Sequence, residues 1–180
     1  MVFGYVGRIT KDKGINELYS AFKKISENND KSYLLMVGPR ENDSSVQNSL
    51  TEWSKNSDKV IFTGFTNVVE QYLSAMDIYI LPSYQEGFGM GVVEAEAMGV
   101  PVIVTDIPGP IDAMKNGETG MIVKKADIDS LYASMKIMME DNGLLKQYGI
   151  QARELATQKF NQNILFEKIL EDRKKLLNGD

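Results

Sequence analysis

Short apolar runs alternate with longer amphipathic stretches along almost the whole chain, and this rhythm constrains the fold more than any other feature. The runs cover residues 2–6, 33–37, 60–62, 78–81, 102–104 and 121–123, rich in Val, Ile and Tyr and bounded by Gly, Pro, Asp or Ser. Runs that are continuously apolar, rather than alternating, read as strands buried on both faces. Between them Ile15, Leu18, Tyr19, Phe22 and Ile25 recur at spacings of three and four, which predicts one face of a helix. Val68, Val69, Tyr72, Leu73 and Met76 do the same, as do Leu131, Met135, Met138 and Met139. The segment from Asn42 to Asp58 is polar, and Val46, Leu50 and Trp53 predict a short helix after a loop. The C-terminal stretch reads as helical with a break near Asp141-Asn142-Gly143. Strand–helix alternation of this kind predicts a parallel, doubly wound α/β sheet in a single domain.

Composition removes whole classes of chemistry. The 180 residues contain neither Cys nor His. Disulfides and thiolate metal sites are therefore excluded, and so is the usual neutral-pH general base. Carboxylates, Lys, Arg, hydroxyls and backbone amides must do any work. The net charge of −5 argues against non-specific nucleic-acid binding. No apolar run approaches the roughly 20 residues needed to span a bilayer. The start, Met1 to Arg8, is too short and lacks the basic beginning of a signal peptide. A cytoplasmic location is the expectation.

In an open parallel sheet, ligands bind beyond the carboxyl ends of the strands, near a switch in strand order. Four loops leave such ends. Gly7-Arg8-Ile9-Thr10-Lys11-Asp12-Lys13-Gly14 offers a guanidinium fork and an ammonium suited to phosphate oxygens. It also reads as a solvated basic turn. Gly38 opens a Gly-Pro turn that ranks first as a plain turn and second as a place along a nucleotide. At Thr63-Gly64-Phe65-Thr66, Phe65 suits either packing beside a base or burial over the sheet edge. The fourth loop, from Pro82 to Gly91, carries Glu86-Gly87-Phe88-Gly89-Met90-Gly91. Three glycines in five positions disfavour a helix interior, where each costs about 1 kcal/mol against Ala. They suit a loop passing close to a ligand and opening a helix near Met90, whose free amides face an anion. Glu86 precedes that helix and Glu94 lies about one turn inside it. Carboxylates repel a diphosphate but accept sugar hydroxyls. Glu96, on another helix face, reads as structural or solvated. A fifth loop, Asp106-Ile107-Pro108-Gly109-Pro110, reads as a wall of the site or a rigid crossover turn.

These residues resemble a known family. Glu86 and Glu94 match the E-x7-E signature of the retaining GT-B glycosyltransferases of family 4, the glycosyl transferases group 1 domain. The match extends through Gly7-Arg8 with Lys13-Gly14, Gly64-Phe65, Ala75-Met76-Asp77, Leu81-Pro82-Ser83 and Glu86-Gly87-Phe88-Gly89. It continues through Met98-Gly99-Val100-Pro101 to Thr105 and Asn116-Gly117-Glu118-Thr119-Gly120, in the family's order. The resemblance implies a Rossmann-like three-layer sandwich with a parallel six-stranded sheet, one half of a GT-B fold. On that basis residues 1–160 form the core, and residues 161–177 a terminal crossover helix. The whole of 1–180 is then the C-terminal donor-binding domain, without the N-terminal acceptor domain.

The same resemblance assigns roles. Arg8 and Lys13 contact the donor phosphates, and Glu86 contacts hexose hydroxyls with help from the backbone of Gly87, Phe88 and Gly89. Glu94 binds the nucleotide ribose, and Gly7, Gly38, Gly64, Phe65 and Met90 complete the donor site. It implies configuration-retaining transfer, no metal and no other cofactor, with a UDP-sugar as the first donor to test. The expected partners are the nucleotide sugar, the missing half, and an acceptor sugar or lipid-linked glycan. Peripheral association with the inner face of a membrane, through the missing half, is compatible with this. Two departures stand out: Ile107-Pro108-Gly109-Pro110 replaces the double glycine of many members, and Asp112 stands where Glu is frequent. Three alternatives stay open at this stage: a glycoside hydrolase using Glu86 and Glu94, a GT-B-fold epimerase, and a non-catalytic nucleotide-binding module.

Overall fold

The computed structural model describes residues 1–41 and 45–178. Residues 42–44, part of the polar segment singled out above, fall outside the described residues. Six strands form one sheet: β1 (Val2–Val6), β2 (Tyr33–Val37), β3 (Val60–Gly64), β4 (Ile78–Leu81), β5 (Val102–Thr105) and β6 (Gly120–Val123). Every pairing is parallel and the order is β3-β2-β1-β4-β5-β6. The direction of winding reverses between β1 and β4, which puts a crevice between the loops that follow those two strands. The architecture is a Rossmann-like α/β sandwich.

The helices are α1 (Ile15–Asn28), α2 (Asn48–Asn56), α3 (Val69–Leu73), α4 (Met90–Ala97), α5 (Pro110–Ala113), α6 (Ile128–Glu140), α7 (Asn142–Lys159) and α8 (Gln162–Asn178). The strands feed two cores. Leu34, Met36, Ile78, Ile80 and Ile103 face α1 and α6, whose Leu18, Phe22, Met135 and Met138 are fully or almost fully buried. Leu35, Val37, Tyr79, Leu81, Val102 and Val104 face the other way, towards Leu73, Val92 and Val93 of α3 and α4. Covering both faces is why the strands lack polar alternation. Each large side chain so buried contributes about 1.5–3 kcal/mol.

Local chemistry sets the helix ends. The Asp127 side chain accepts the Ser130 N–H at 2.9 Å and begins α6. The Asp141 side chain does the same for Leu144 at 2.9 Å, which splits α6 from α7 at the predicted break. Such caps are worth about 1 kcal/mol each. One expectation is corrected: α3 is shorter than its apolar spacing implied, and Met76 lies beyond it. The helical face continues only as tight turns, with Ala75 N–H bonding Tyr72 O and Met76 N–H bonding Leu73 O. Met76 is buried all the same. Among the described residues, no helix is long and apolar enough to cross a membrane.

Candidate functional site

The loops after β1 and β4 meet. The residue that allows it is Gly14, left-handed at φ 70°, where a Cβ would strike the Pro82 carbonyl oxygen. The Tyr84 N–H adds a hydrogen bond to Asp12 O at 2.8 Å. This clamp brings Lys13 to Glu86, 73 positions apart: Lys13 Nζ lies 2.8 Å from Glu86 Oε1. The Ser83 hydroxyl donates to the same oxygen at 2.7 Å. Both charged side chains are only 18% exposed, so water screens the pair weakly.

Arg8 stands nearby in a different setting. Its side chain is 55% exposed, with Nη1 3.3 Å from Glu41 Oε2 and Nη2 4.0 Å from Asp12 Oδ2. Its backbone is fixed from below, since the buried Tyr5 hydroxyl donates to Arg8 O at 2.6 Å. Burial, then the neighbouring Tyr79, pushes the Tyr5 hydroxyl well above the ordinary phenol range, so it stays a neutral donor. Burial and the bond to Glu17 likewise push Tyr84 up to about 12, its hydroxyl donating to Glu17 Oε1 at 2.8 Å.

Three glycines knit the rim beside Arg8. Gly7 N–H donates to Val37 O, and Gly38 N–H donates to Gly64 O, each at 2.9 Å. Gly38 thus acts through its backbone. Arg40 turns away, its guanidinium 3.3 Å from the Phe62 ring centroid. Phe65 is 75% exposed, which excludes its burial over the sheet edge.

The fourth loop enters α4 as the glycine pattern predicts. Gly89 is the N-cap residue and Met90 the first residue of the helix. Among the described residues, no hydrogen bond uses the N–H groups of Gly87, Phe88 or Gly89. Phe88 and Met90 are exposed. Unpaired amides at the positive end of a helix suit an anion. Gly91 is a correction: it lies inside the helix against the Tyr79 hydroxyl, a packing role rather than a ligand role. Glu94 is exposed and lines a groove between α3 and α4 with Glu70, Leu73 and Met98. Partial burial and the Glu70 charge raise its carboxyl.

Glu96 is not solvated, which corrects one of its two readings. It has no exposed surface, and neither carboxylate oxygen completes a hydrogen bond. Burial raises it to about 7, against weaker opposition from the Thr119 hydroxyl and Lys159. Thr119 instead directs its hydroxyl at Lys115 O, at 3.4 Å. Asp112, one of the departures, accepts the Gly109 N–H at 3.2 Å and so fixes the turn after β5. The one Asp-x-Asp string, Asp127-Ile128-Asp129, is spoken for: Asp127 caps α6, and Asp129 pairs with Lys24 at 2.7 Å.

Of the residues singled out from sequence, Lys13 and Glu86 come into contact. Gly7, Arg8, Gly38 and Gly87 to Gly89 occupy loops at the same carboxyl edge, where Gly64 ends β3 and Met90 begins α4, and Glu94 lies one turn into α4. Sequence reasoning gave no role to Ser83, Tyr84 or Phe160. The proximity of Ser83 to Glu86 in the chain was an available signal; for Phe160 there was none.

A sequence model of the family described as Glycosyl transferases group 1 matches residues 1–155. The chain is 34% identical over 168 residues to the capsular polysaccharide biosynthesis glycosyltransferase CapM of Staphylococcus aureus, an alignment covering 93% of this chain and 44% of that protein. It is 31% identical over 147 residues to the UDP-Gal:alpha-D-GlcNAc-diphosphoundecaprenol alpha-1,3-galactosyltransferase of Escherichia coli, covering 79% and 38%. A solved glycosyltransferase from Rickettsia africae superposes with a TM-score of 0.87 at 26% identity, over 99% of this chain and 48% of that one. The chain therefore spans less than half the length of these relatives.

Proposed function

The chain belongs to the glycosyl transferases group 1 family, and from that premise we propose that it is the donor-binding half of a glycosyltransferase that takes a nucleoside-diphosphate sugar. The observation that carries this reading is the meeting of Lys13, Glu86 and Ser83 beside the unpaired amides of Gly87, Phe88 and Gly89. The cation serves a diphosphate, and the carboxylate, with the free amides beside it, serves the hydroxyls of the sugar.

In this reading Lys13 and Arg8 exchange their carboxylate partners for phosphate oxygens when the donor arrives. Glu86 then turns to the hexose, and Glu94 accepts the ribose hydroxyls from the α4 groove. As the anomeric C–O bond breaks, its electron pair goes to the departing diphosphate. Groups already aimed at that oxygen stabilise the charge as it forms, which is what accelerates the step. The acceptor hydroxyl attacks from the same face and passes its proton to a donor phosphate oxygen, so configuration is retained. No His and no metal ion are required.

The acceptor site lies on a second domain that α8 reaches back to, and the isolated chain is inactive in transfer. The relatives' names favour polysaccharide or glycolipid acceptors and UDP as the first carrier to test; a cytoplasmic site with membrane contact through the other half goes with this reading. Calorimetric titration with UDP, GDP and ADP and their sugars tests the proposal. Micromolar-to-millimolar binding of one of them is expected, with UDP favoured. No binding by any of them removes the reading.

A further inference from the structure

Phe160 lies outside every loop assigned to the site, yet it touches the site. It is the C-cap residue of α7, and α8 starts two positions later. Its ring meets that of Phe88 edge-on, with centroids 5.6 Å apart and planes at 71°. Phe88 is the middle residue of Gly87-Phe88-Gly89, whose N–H groups make no hydrogen bond among the described residues.

The other side of that loop rests on the turn after β5. A Cβ on Gly109 would strike the Gly87 carbonyl oxygen, and Gly89 lies against Pro110. The residue next to Phe160 holds this turn as well: Lys159 Nζ donates to Asp112 O at 2.9 Å. The end of α7 thus grips both the loop and its support. A loop flanked by glycines has much conformational freedom to lose on ordering. The Phe88 side chain is its lateral handle, and Phe160 is the ring that packs on it edge-on.

We propose that Phe160 is a positioning residue for the sugar end of the donor: by packing on Phe88 it holds Gly87-Phe88-Gly89 in register, and it does so from the junction of α7 and α8. The proposal rests on the donor-site reading above. The nucleotide end is held by Arg8, Lys13 and Glu94 and does not depend on this contact. Grip on the sugar therefore follows the position of the α7–α8 junction, while grip on the nucleotide does not.

The test compares the wild-type chain with Phe160→Ala, Phe160→Leu, Phe88→Ala and the double variant Phe88→Ala/Phe160→Ala. Calorimetry with UDP-glucose and UDP should show Phe160→Ala losing about tenfold in affinity for the sugar nucleotide, with UDP changed by less than about threefold. Phe160→Leu should recover most of the loss, and the double variant should be no worse than Phe88→Ala alone. In the ligand-free chain, NMR order parameters of the Gly87 to Gly89 amides should fall from about 0.85 towards 0.6 in Phe160→Ala, with β1 unchanged. Equal losses for UDP and UDP-glucose, or unchanged order parameters at Gly87 to Gly89, overturn the proposal. If wild type binds neither ligand, the donor-site reading fails by itself, and the order parameters still decide the role of Phe160. Should Phe160→Ala not fold, Phe88→Ala, which removes the same ring contact, carries the comparison.

Discussion

Glu94 and Glu96 leave α4 two residues apart, yet Glu94 is exposed in the groove beside α3 while Glu96 has no exposed surface. Two residues on an α-helix are about 200° apart, so neighbours of identical chemistry point in nearly opposite directions. The outer direction opens into the groove between α3 and α4. The inner one enters the core that α4 shares with α7. Burial raises both carboxyls, but only Glu96 is carried to about 7. The lesson is that a charged residue on a site-bearing helix is not thereby a site residue. At the surface a carboxylate is free to accept hydrogen bonds; in the core it costs stability when ionised.

If this division is right, changes on the rim alter binding and spare stability, while changes at Glu96 do the reverse. The largest effect is expected for Glu86→Ala in the full-length protein. Transfer should fall by about 100-fold or more, the scale of losing a group that acts in the transition state. Initial-rate kinetics would check it, with the melting temperature nearly unchanged. A large drop in melting temperature at constant activity would move Glu86 to the structural side.

Arg8→Ala comes next. Removing a charged donor should weaken nucleoside-diphosphate binding by roughly 1.5–3 kcal/mol. Calorimetry that finds the same affinity in both proteins would detach Arg8 from the site and leave it as a partner of Glu41 and Asp12.

Glu96→Gln tests the core side. The folded-state value of Glu96 lies above its unfolded value, so the folded protein binds the extra proton between about pH 4.5 and pH 7. Its contribution is fully present at the acid end and is lost as pH rises to about 7. Glutamine copies the neutral acid and does not titrate. The variant should match wild type near pH 4.5 and exceed it by about 3 kcal/mol at pH 8. Urea melts at both pH values would show this, and a difference independent of pH would contradict it. Ser83→Ala should give the smallest change. Loss of one hydrogen bond to Glu86 should weaken sugar-nucleotide binding by about 0.5–1.5 kcal/mol and leave the bare diphosphate unaffected.

The strands, most helices and the break at Asp141 were legible because each depends on residues close in the chain. Apolar runs, spacings of three and four, and capping side chains act within a few positions. The helix opening at Met90 belongs to the same class, since Gly89 and the preceding loop encode it locally. The overreach at Met76 has the same origin: spacing reports which side chains are buried, not where the backbone stops being helical. Phe65 was undecided because nothing local says whether the sheet edge is covered.

What the residues alone determined was the kind of fold, the loops that leave the carboxyl ends of its strands, and the groups those loops carry: carboxylates, two cations and glycine-freed amides. Only the folded chain decided which of these meet. Lys13 reaches Glu86 because the sheet reverses its winding between β1 and β4, and because Gly14 lets one loop press on the carbonyl of Pro82. Phe160 reaches Phe88 because α7 ends beside α5. Such contacts join positions some 70 residues apart, a separation over which chain periodicity has no reach and only packing sets distance.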